Sequence, residues 1–299
     1  MLWLYLAICA YLLFALSNIG DKLVVSKYKT EPIVYAFYVG ILGITSLFLI
    51  PFGVKWASPA ILGLSFLAGI TFVVALYFMY KSLSLGETSK AITILGSTSP
   101  IFTFLLANIF LREKLLLNEI AALAILVLAI ILIEWEKERP VKKKYHESMI
   151  FWSGLAGLAF AINYTLTKYL FLQETFVSVF FWTRIGGFLA ALIVIAYPQA
   201  RRLIQQDLKR PKRKKGTLVL VIQIAGGTGV MMQSYALKLA SATIINALQA
   251  IQYALVFIFA SLLHYKIPAL QENLNKKQLG QKIVAIILIA IGLYLLAIK

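Results

Sequence analysis

The sequence predicts an all-α membrane protein with ten transmembrane helices, arranged as two inverted repeats of five helices. Hydrophobic residues make up 61% of the 299 residues and charged residues only 14%, whereas ordinary globular domains carry about a quarter charged residues. The apolar residues fall into ten runs, each close to the ~20 residues that a helix needs to cross the hydrocarbon core of a bilayer. A short charged segment divides these runs into two sets of five.

The ten predicted spans are joined mostly by short loops. They cover residues 2–25, 32–53, 59–81, 88–111, 116–134, 149–170, 176–197, 217–238, 241–264 and 281–298. Spanning segments are either helices or closed barrels because mid-bilayer backbone groups find no water, and these runs lack the alternating hydrophobicity of barrel strands. We therefore expect a first five-helix repeat at residues 1–135, a charged linker at 136–148 and a second repeat at 149–299.

Basic residues concentrate on one side of this predicted topology. The loops after spans one, three, five, seven and nine hold 22 Lys and Arg residues, and the opposite side holds 6. Because cytoplasmic loops are enriched in Lys and Arg, we place the odd-numbered loops in the cytoplasm and both termini outside, in the cell (inner) membrane. The formal net charge of +17 is then explained by topology and lipid headgroups, and we expect no nucleic-acid partner.

The second half enters the membrane from the opposite side to the first, because each half has an odd number of helices. Residues 82–102 align with residues 236–256, and Lys22 at the end of span one aligns with Lys168 at the end of span six. Each lysine follows an asparagine by about one turn, Asn18 in the first half and Asn163 in the second. Opposed halves can exchange inward-open and outward-open shapes, so this pattern favours alternating access.

The sharpest motif is the segment LGETSKAITILGSTSPIFTFLLANIFLREKL at Leu85 to Leu115. It contains a small-residue turn, the run Ser97 to Pro100 and the closing run Arg112 to Leu115. In these features, and in its two five-helix halves, the chain resembles the EamA branch of the drug/metabolite transporter superfamily. The resemblance implies a carrier for a small solute, with two repeats joined by a short linker.

The second half departs from that family pattern in two places. Ala254 stands where Pro100 would align, and Tyr265 to Pro268 replaces the segment that carries Glu113 in the first half. Relatives of this kind usually keep both termini in the cytoplasm, which is the reverse of the orientation that the charge count predicts. We retain the orientation given by the charges.

Arg184 is the first candidate for a substrate contact. It lies about nine residues into the seventh span and is always charged, and a charge within a bilayer is costly unless it has a use. It resembles the arginine that the family often places in the second helix of a repeat, where the first half has Gly40. It can attract an anionic or zwitterionic solute, or it can bind carbonyl groups and fix helix packing.

The ninth span carries a polar stripe. Asn246, Gln249 and Tyr253 fall at i, i+3 and i+7, on one helical face. Uncharged amides can hydrogen-bond a substrate, and they also pair neighbouring helices. Both roles stay open for this stripe.

The fourth span offers Thr93, Ser97 and Pro100 on one face, where a proline frees a carbonyl and kinks the helix. The alternative is that the hydroxyl groups only satisfy the broken helix. Five further candidates for the substrate pathway are Gln233, Asn163, Asn18, Lys22 and Lys168, with snorkelling as the alternative for the two lysines. Tyr80 is either part of an aromatic wall or an interfacial anchor.

The scarcity of certain residue types within the spans excludes several classes of function. All twelve acidic residues fall at span ends or in loops, so the buried carboxylate of a proton-coupled cation exporter is lacking. One cysteine and two histidines argue against disulfide, metal and cofactor chemistry. We expect a transporter of a small polar metabolite such as an amino acid or a nucleotide-related compound, working as a monomer or homodimer. A flippase of a lipid-linked sugar is the main alternative, and a membrane enzyme is disfavoured.

Overall fold

The computed structural model describes residues 1–28, 31–85, 88–134, 143–209, 213–263 and 276–297. These ranges are helical apart from short connections, which confirms the predicted all-α class. Residues 136–142 of the predicted charged linker and residues 264–275 after the ninth span lie outside the described ranges.

The helices of the first half follow the predicted spans closely. Its second span begins as an α-helix with a proline in the first turn, where the missing N–H is harmless, and continues as a 3-10 helix over Leu42–Phe52. The α-helices are α1 (Leu2–Tyr28), α2 (Pro32–Ile41), α3 (Pro59–Leu85), α4 (Thr88–Leu111) and α5 (Leu117–Glu134).

The second half contains two features that the sequence did not predict. A surface helix follows the seventh span, within the segment taken as a basic loop, and the ninth span is divided in two at Leu248. The helices are α6 (Lys143–Gln173), α7 (Phe176–Ala196), α8 (Pro198–Leu208), α9 (Arg213–Leu239), α10 (Ala242–Ala247), α11 (Gln249–Leu263) and α12 (Lys276–Ala297).

Eight spans in the described ranges are long and apolar enough to cross a membrane. The other two predicted spans correspond to α5 and α9. The described apolar part of α5 is limited to Leu117–Leu132, and α9 begins with the basic run Arg213 to Lys215. The helix order nevertheless matches the predicted scheme of two five-helix halves.

The two halves also match in helix length. The second span of the first half covers Pro32–Phe52 and the second span of the other half covers Phe176–Ala196, with 21 residues in each. Helices α3 and α9 are the third spans of their halves, and each has 27 residues. This agreement is expected for two copies of one fold.

The halves pack into each other instead of side by side. Helix α1 of the first half lies along α9 of the second, and α6 of the second half lies along α3 of the first. Helix α5 packs against α12, so the last helices of the two halves also pair. Each half therefore depends on the other for the burial of its apolar surface.

Two hydrogen bonds between the halves occupy equivalent positions. The Ser17 hydroxyl of α1 donates to the Ile222 carbonyl of α9 over 3.3 Å, and the Asn163 amide of α6 donates to the Ala68 carbonyl of α3 over 2.8 Å. The alignment that pairs Lys22 with Lys168 also pairs Ser17 with Asn163, and the one that pairs residues 82 and 236 also pairs residues 68 and 222. The repeat thus extends to individual contacts.

Candidate functional site

A buried polar cluster connects four helices, α1, α6, α9 and α10, through hydrogen bonds. The Gln233 amide of α9 donates to the Tyr11 hydroxyl of α1 over 3.1 Å and to the Tyr164 hydroxyl of α6 over 2.7 Å. The Tyr11 hydroxyl in turn donates to the Ile245 carbonyl of α10. Both tyrosines are buried. The cluster therefore ties both halves together through hydrogen bonds, in a region where unpaired polar groups are costly.

The break between α10 and α11 lies directly beside this cluster. At the break the Leu248 amide donates to the Ile244 carbonyl, with the spacing of an α-helix, and the Ile251 amide donates to the Leu248 carbonyl, with the tighter 3-10 spacing. The Ile245 carbonyl is thereby released from the helical ladder and accepts from Tyr11 instead. Gln249 begins the helix on the far side of this break.

Asn246 is fully buried and pairs two helices. Its amide nitrogen donates to the Ser99 hydroxyl over 2.8 Å and to the Thr103 hydroxyl over 2.6 Å, both on α4. Its amide oxygen has no hydrogen-bond partner in the described ranges. The structure thus places Asn246 in the interhelical role that was one of its two predicted alternatives.

The other two residues of the ninth-span stripe, Gln249 and Tyr253, differ in burial. Gln249 is half-buried, and no hydrogen bond joins its side chain to a described residue. Tyr253 is buried against α4, where a Cβ on Gly96 would lie 2.7 Å from the tyrosine ring. Gly96 therefore lets the two polar helices approach closely at this level.

Two neighbouring hydroxyl groups of α4, on the predicted residue Ser97 and on Thr98, bond within their own helix. The Ser97 hydroxyl donates to the Thr93 carbonyl over 2.6 Å, and the Thr98 hydroxyl donates to the Ile94 carbonyl over 2.6 Å. Pro100 is buried, and α4 continues through it to Leu111. For the hydroxyl of Ser97, the structure favours the alternative in which it satisfies its own helix.

Arg184 lies among aromatic rings and glycines at the contact of α7 with α3 and the 3-10 helix. Its guanidinium carbon is 4.9 Å from the ring centre of Phe72 and 5.3 Å from that of Phe180, a cation–π arrangement. Its Nε is buried and has no hydrogen-bond partner in the described ranges. A donor that is buried without a partner is available to an incoming acceptor.

A shallow cleft of about 10 Å³, room for about one water molecule, adjoins the guanidinium. Its lining combines residues of both halves, including Gly40, which occupies the position equivalent to Arg184 in the first repeat. The lining residues are Val39, Gly40, Gly43, Phe72, Val73, Thr183, Arg184 and Gly187. The cleft does not include Gln249, so this conformation does not bring Arg184 and Gln249 together.

The helices around Arg184 approach each other through glycines. A Cβ on Gly69 would collide with the Thr183 carbonyl, and a Cβ on Gly186 would lie 2.6 Å from the Phe66 carbonyl. A Cβ on Gly43 would collide with the carbonyl of Arg184 itself. These contacts keep the backbone of α7 against α3 and the 3-10 helix.

The connection between the 3-10 helix and α3 closes over the start of α7. The Lys55 amide donates to the Ser178 hydroxyl over 2.9 Å, and the Trp182 indole donates to the Lys55 carbonyl over 3.0 Å. The rings of Trp56 and Trp182 lie 5.0 Å apart. These contacts hold the connection against the N-terminal turns of α7.

The predicted residues at the span ends make structural contacts where they are described. The Lys168 ammonium donates to the carbonyls of Leu237, Lys238 and Ala240 at 3.0, 3.3 and 2.6 Å. It therefore caps the C-terminal end of α9, where a positive charge is favourable. Tyr80 packs edge-on against Tyr35 of α2, with ring centres 4.7 Å apart.

The structure gives less information about two other predicted pathway residues, Asn18 and Lys22. Asn18 is half-buried on α1, one residue beyond the Ser17 hydroxyl that bonds α9. The side chain of Lys22 lies outside the described residues, so its predicted role stays a prediction.

Tyr11 and Tyr164 were missed by the sequence analysis, although a signal was present. Tyr11 lies near the middle of its predicted span, residues 2–25, and Tyr164 lies six residues from the end of its span, residues 149–170, whereas tyrosines that anchor a helix lie near its ends. A central tyrosine needs a hydrogen-bond partner for its hydroxyl. The central position of Tyr11 in its span would therefore have identified it as a candidate.

Comparison with known proteins supports the architecture described above. Residues 1–135 and 147–298 match the profile of the EamA-like transporter family. A crystal structure of a protein with 15% sequence identity has the same fold, with a TM-score of 0.69 over 97% of this chain and 93% of the other. No curated protein matches the sequence.

Proposed function

Because the chain belongs to the EamA-like transporter family, it is a multi-pass membrane transporter and not an enzyme, and we propose that it carries a small polar metabolite by alternating access. The carrier works as an exporter or exchanger, and amino acids and nucleotide-related compounds are the first candidates for its substrate. The membrane is the cell (inner) membrane, with the basic odd-numbered loops in the cytoplasm. The working unit is a monomer or a homodimer.

The observation that carries this proposal is the buried cluster of Tyr11, Tyr164 and Gln233 between two interlocked halves. Every contact in it crosses from one helix to another, and the cluster touches a broken helix. Carriers built from inverted repeats hold their solutes near the middle of the bilayer, beside discontinuous helices. The equivalent bonds of Ser17 and Asn163 support the repeat on which such exchange of shape depends.

Arg184 supports an anionic or zwitterionic solute. Its buried Nε faces no described acceptor, and the cleft beside it has no acidic residue in its lining. A carboxylate or phosphate oxygen is the natural partner of such a guanidinium. Gln249, half-buried next to the helix break, supports the proposal as a second polar contact that the solute meets in another conformation.

The test is transport by the purified chain in proteoliposomes. We expect exchange of a preloaded, radiolabelled amino acid or nucleotide-related compound against the same compound outside. Gln233→Leu removes both tyrosine contacts and should reduce this exchange at least tenfold, whereas Thr71→Ala, an exposed hydroxyl bonded within its own helix, should leave it unchanged.

Two outcomes would overturn the proposal. Equal exchange by the wild type and by empty liposomes for every polar metabolite tested would remove the carrier. Translocation of a fluorescent lipid-linked sugar in its place would establish the flippase alternative, which shares the fold and the basic loops.

A further inference from the structure

Helix α8 breaks the repeat. It follows the second span of the second half, whereas the equivalent position in the first half is the short connection of residues 53–58 on the opposite side of the membrane. Since the first half builds its five spans without such a helix, the inverted repeat does not explain α8. It lies directly after α7, which ends at Ala196, and therefore at the membrane surface.

One face of α8 is docked on the transmembrane helices. Ala200 and Ile204 are buried, and Ile204 packs in an apolar cluster with Val34 and Phe37 of α2. The Tyr38 hydroxyl donates to the Asp207 carboxylate over 2.8 Å. Because Asp207 is the single acidic residue of α8, the helix directs its negative charge inward.

A second face is exposed and mixes apolar and basic groups. Three of its residues lie in α8 at i, i+4 and i+7, the fourth is the residue that directly precedes the helix, and all four are exposed. We call this face the outer stripe of α8, and it consists of Tyr197, Arg201, Gln205 and Leu208. Tyr197 and Leu208 are each 60% exposed, which is unfavourable in water and favourable at the boundary between headgroups and acyl chains.

Further basic residues accompany the outer stripe, both in α8 and in the sequence that follows it. Arg202 and Lys209 are also exposed, and five further basic residues follow between positions 210 and 215. An amphipathic helix with basic and apolar groups at a membrane surface binds anionic lipid. We propose that the outer stripe of α8 is a binding site for anionic phospholipid headgroups, with Arg201 and Arg202 contacting the phosphate and Tyr197 and Leu208 entering the acyl boundary.

The position of α8 links this site to two transmembrane helices, α2 and α7. Through Ile204 and Asp207 the helix holds α2, and it is continuous with α7. A lipid bound at the stripe therefore stabilises the arrangement of α2 and α7 seen here. This binding is independent of the proposed transport function, so it can be tested without knowing the solute.

The experiment measures lipid binding to the full chain in a nonionic detergent. Dioleoyl phosphatidylglycerol is titrated into the protein and bound lipid is counted by native mass spectrometry, with dioleoyl phosphatidylcholine as the neutral lipid. Each basic residue near an anionic surface strengthens binding about fivefold. We expect R201Q/R202Q to weaken the tightest phosphatidylglycerol site by about 10-fold to 30-fold, with no change for phosphatidylcholine.

The matched control removes two exposed charges from the opposite side of the membrane. Lys55 and Lys114 are both exposed, and K55Q/K114Q should keep the wild-type affinity. A second variant, L208Q, keeps every charge and should weaken binding of the dioleoyl lipid but not of soluble glycerol phosphate. Such a split would separate a lipid site from a site for a free phosphate.

Three results would overturn the proposal. One is equal affinity for the two lipids in the wild type, and another is equal loss in R201Q/R202Q and K55Q/K114Q. The third is glycerol phosphate binding as tightly as the lipid, which would identify the stripe as a site for a soluble anion. If R201Q/R202Q fails to purify, L208Q and single R202Q carry the test, and unchanged affinity in both would exclude the site.

Discussion

The fourth helix of the first half and the ninth span of the second half occupy equivalent positions, yet only one of them is broken. Helix α4 contains Pro100 and runs without interruption from Thr88 to Leu111. The ninth span has no proline within it and is divided at Leu248. A proline is thus neither sufficient nor necessary for a break here, and the position of the break follows the tertiary contact from Tyr11 to the Ile245 carbonyl.

The largest expected effect comes from giving the ninth span the proline of α4. Ala254 aligns with Pro100 and is buried within α11. Ala254→Pro removes a backbone donor and places the ring against the carbonyl of the preceding turn, which costs about 3 kcal/mol or more in a helix interior. We expect a much lower unfolding temperature in detergent, read by size-exclusion chromatography after heating.

Ala254→Gly is the control for that variant, because it loosens the same position by about 1 kcal/mol without removing a donor. An Ala254→Pro protein as stable as the wild type would show that the ninth span accepts a proline as readily as α4 does. The contrast between the two helices would then disappear.

The second effect concerns the contact at the break itself. Tyr11→Phe leaves the Ile245 carbonyl without its donor and Gln233 without one of its two tyrosines. Buried groups left unpaired cost about 1–3 kcal/mol, and measured hydrogen bonds between membrane helices reach about 1.7 kcal/mol. We expect a loss of about 1–2 kcal/mol in the free energy of unfolding, measured by denaturant titration in micelles.

Tyr164→Phe is the matched control, since the Tyr164 hydroxyl bonds Gln233 and Tyr11 within the cluster, whereas Tyr11 also holds the Ile245 carbonyl. It should cost less than Tyr11→Phe. The reverse order would mean that the released carbonyl of Ile245 does not depend on Tyr11.

A smaller loss of stability is expected from variants that test whether the two halves are equivalent. Ser17→Ala and Asn163→Ala each remove one of the two equivalent bonds between the halves, and such bonds average about 0.6 kcal/mol in membranes. Asn163→Ala should cost more, because its bond is shorter. The measurement is thermal unfolding of both single variants and of the double variant. If the stability loss of the double variant differs strongly from the sum of the two single losses, the two bonds are not separate contacts.

The smallest effect is expected at Pro100. Pro100→Ala restores a backbone donor in α4, whose hydroxyl groups already bond within the helix at Ser97 and Thr98. We expect the free energy of unfolding to change by less than about 1 kcal/mol. A loss of several kcal/mol in the same thermal assay would show that α4 depends on its proline and would make the two helices less alike than proposed.

The fold class could be predicted from the sequence because hydropathy acts locally. A run of apolar residues specifies a spanning helix whatever its neighbours are, and the helices of the first half follow the predicted runs closely. Helix α8 was missed because its eleven residues contain six charged or amide side chains, and its apolar face is too narrow to raise the average hydropathy.

The site was harder to predict because its contacts join distant parts of the chain. The bond from Tyr11 to Ile245 spans 234 residues, and no local spacing indicates that these two helices meet. The polar stripe of the ninth span could be predicted from its period, but the period does not distinguish a buried interhelical amide such as Asn246 from the less enclosed Gln249. Asn246 differs because it meets the Ser99 and Thr103 hydroxyls of α4, and these residues lie far from it in the sequence.

The equivalent bonds of Ser17 and Asn163 use different side chains and the same kind of acceptor, a main-chain carbonyl. No substitution can delete a carbonyl, so each copy of a duplicated gene needs only some donor of adequate reach at that place. Amino-acid identity between the copies can therefore erode almost completely while the two bundles remain superimposable. Internal duplications in such carriers are therefore better detected by comparing main-chain hydrogen-bond acceptors than by comparing amino-acid sequences.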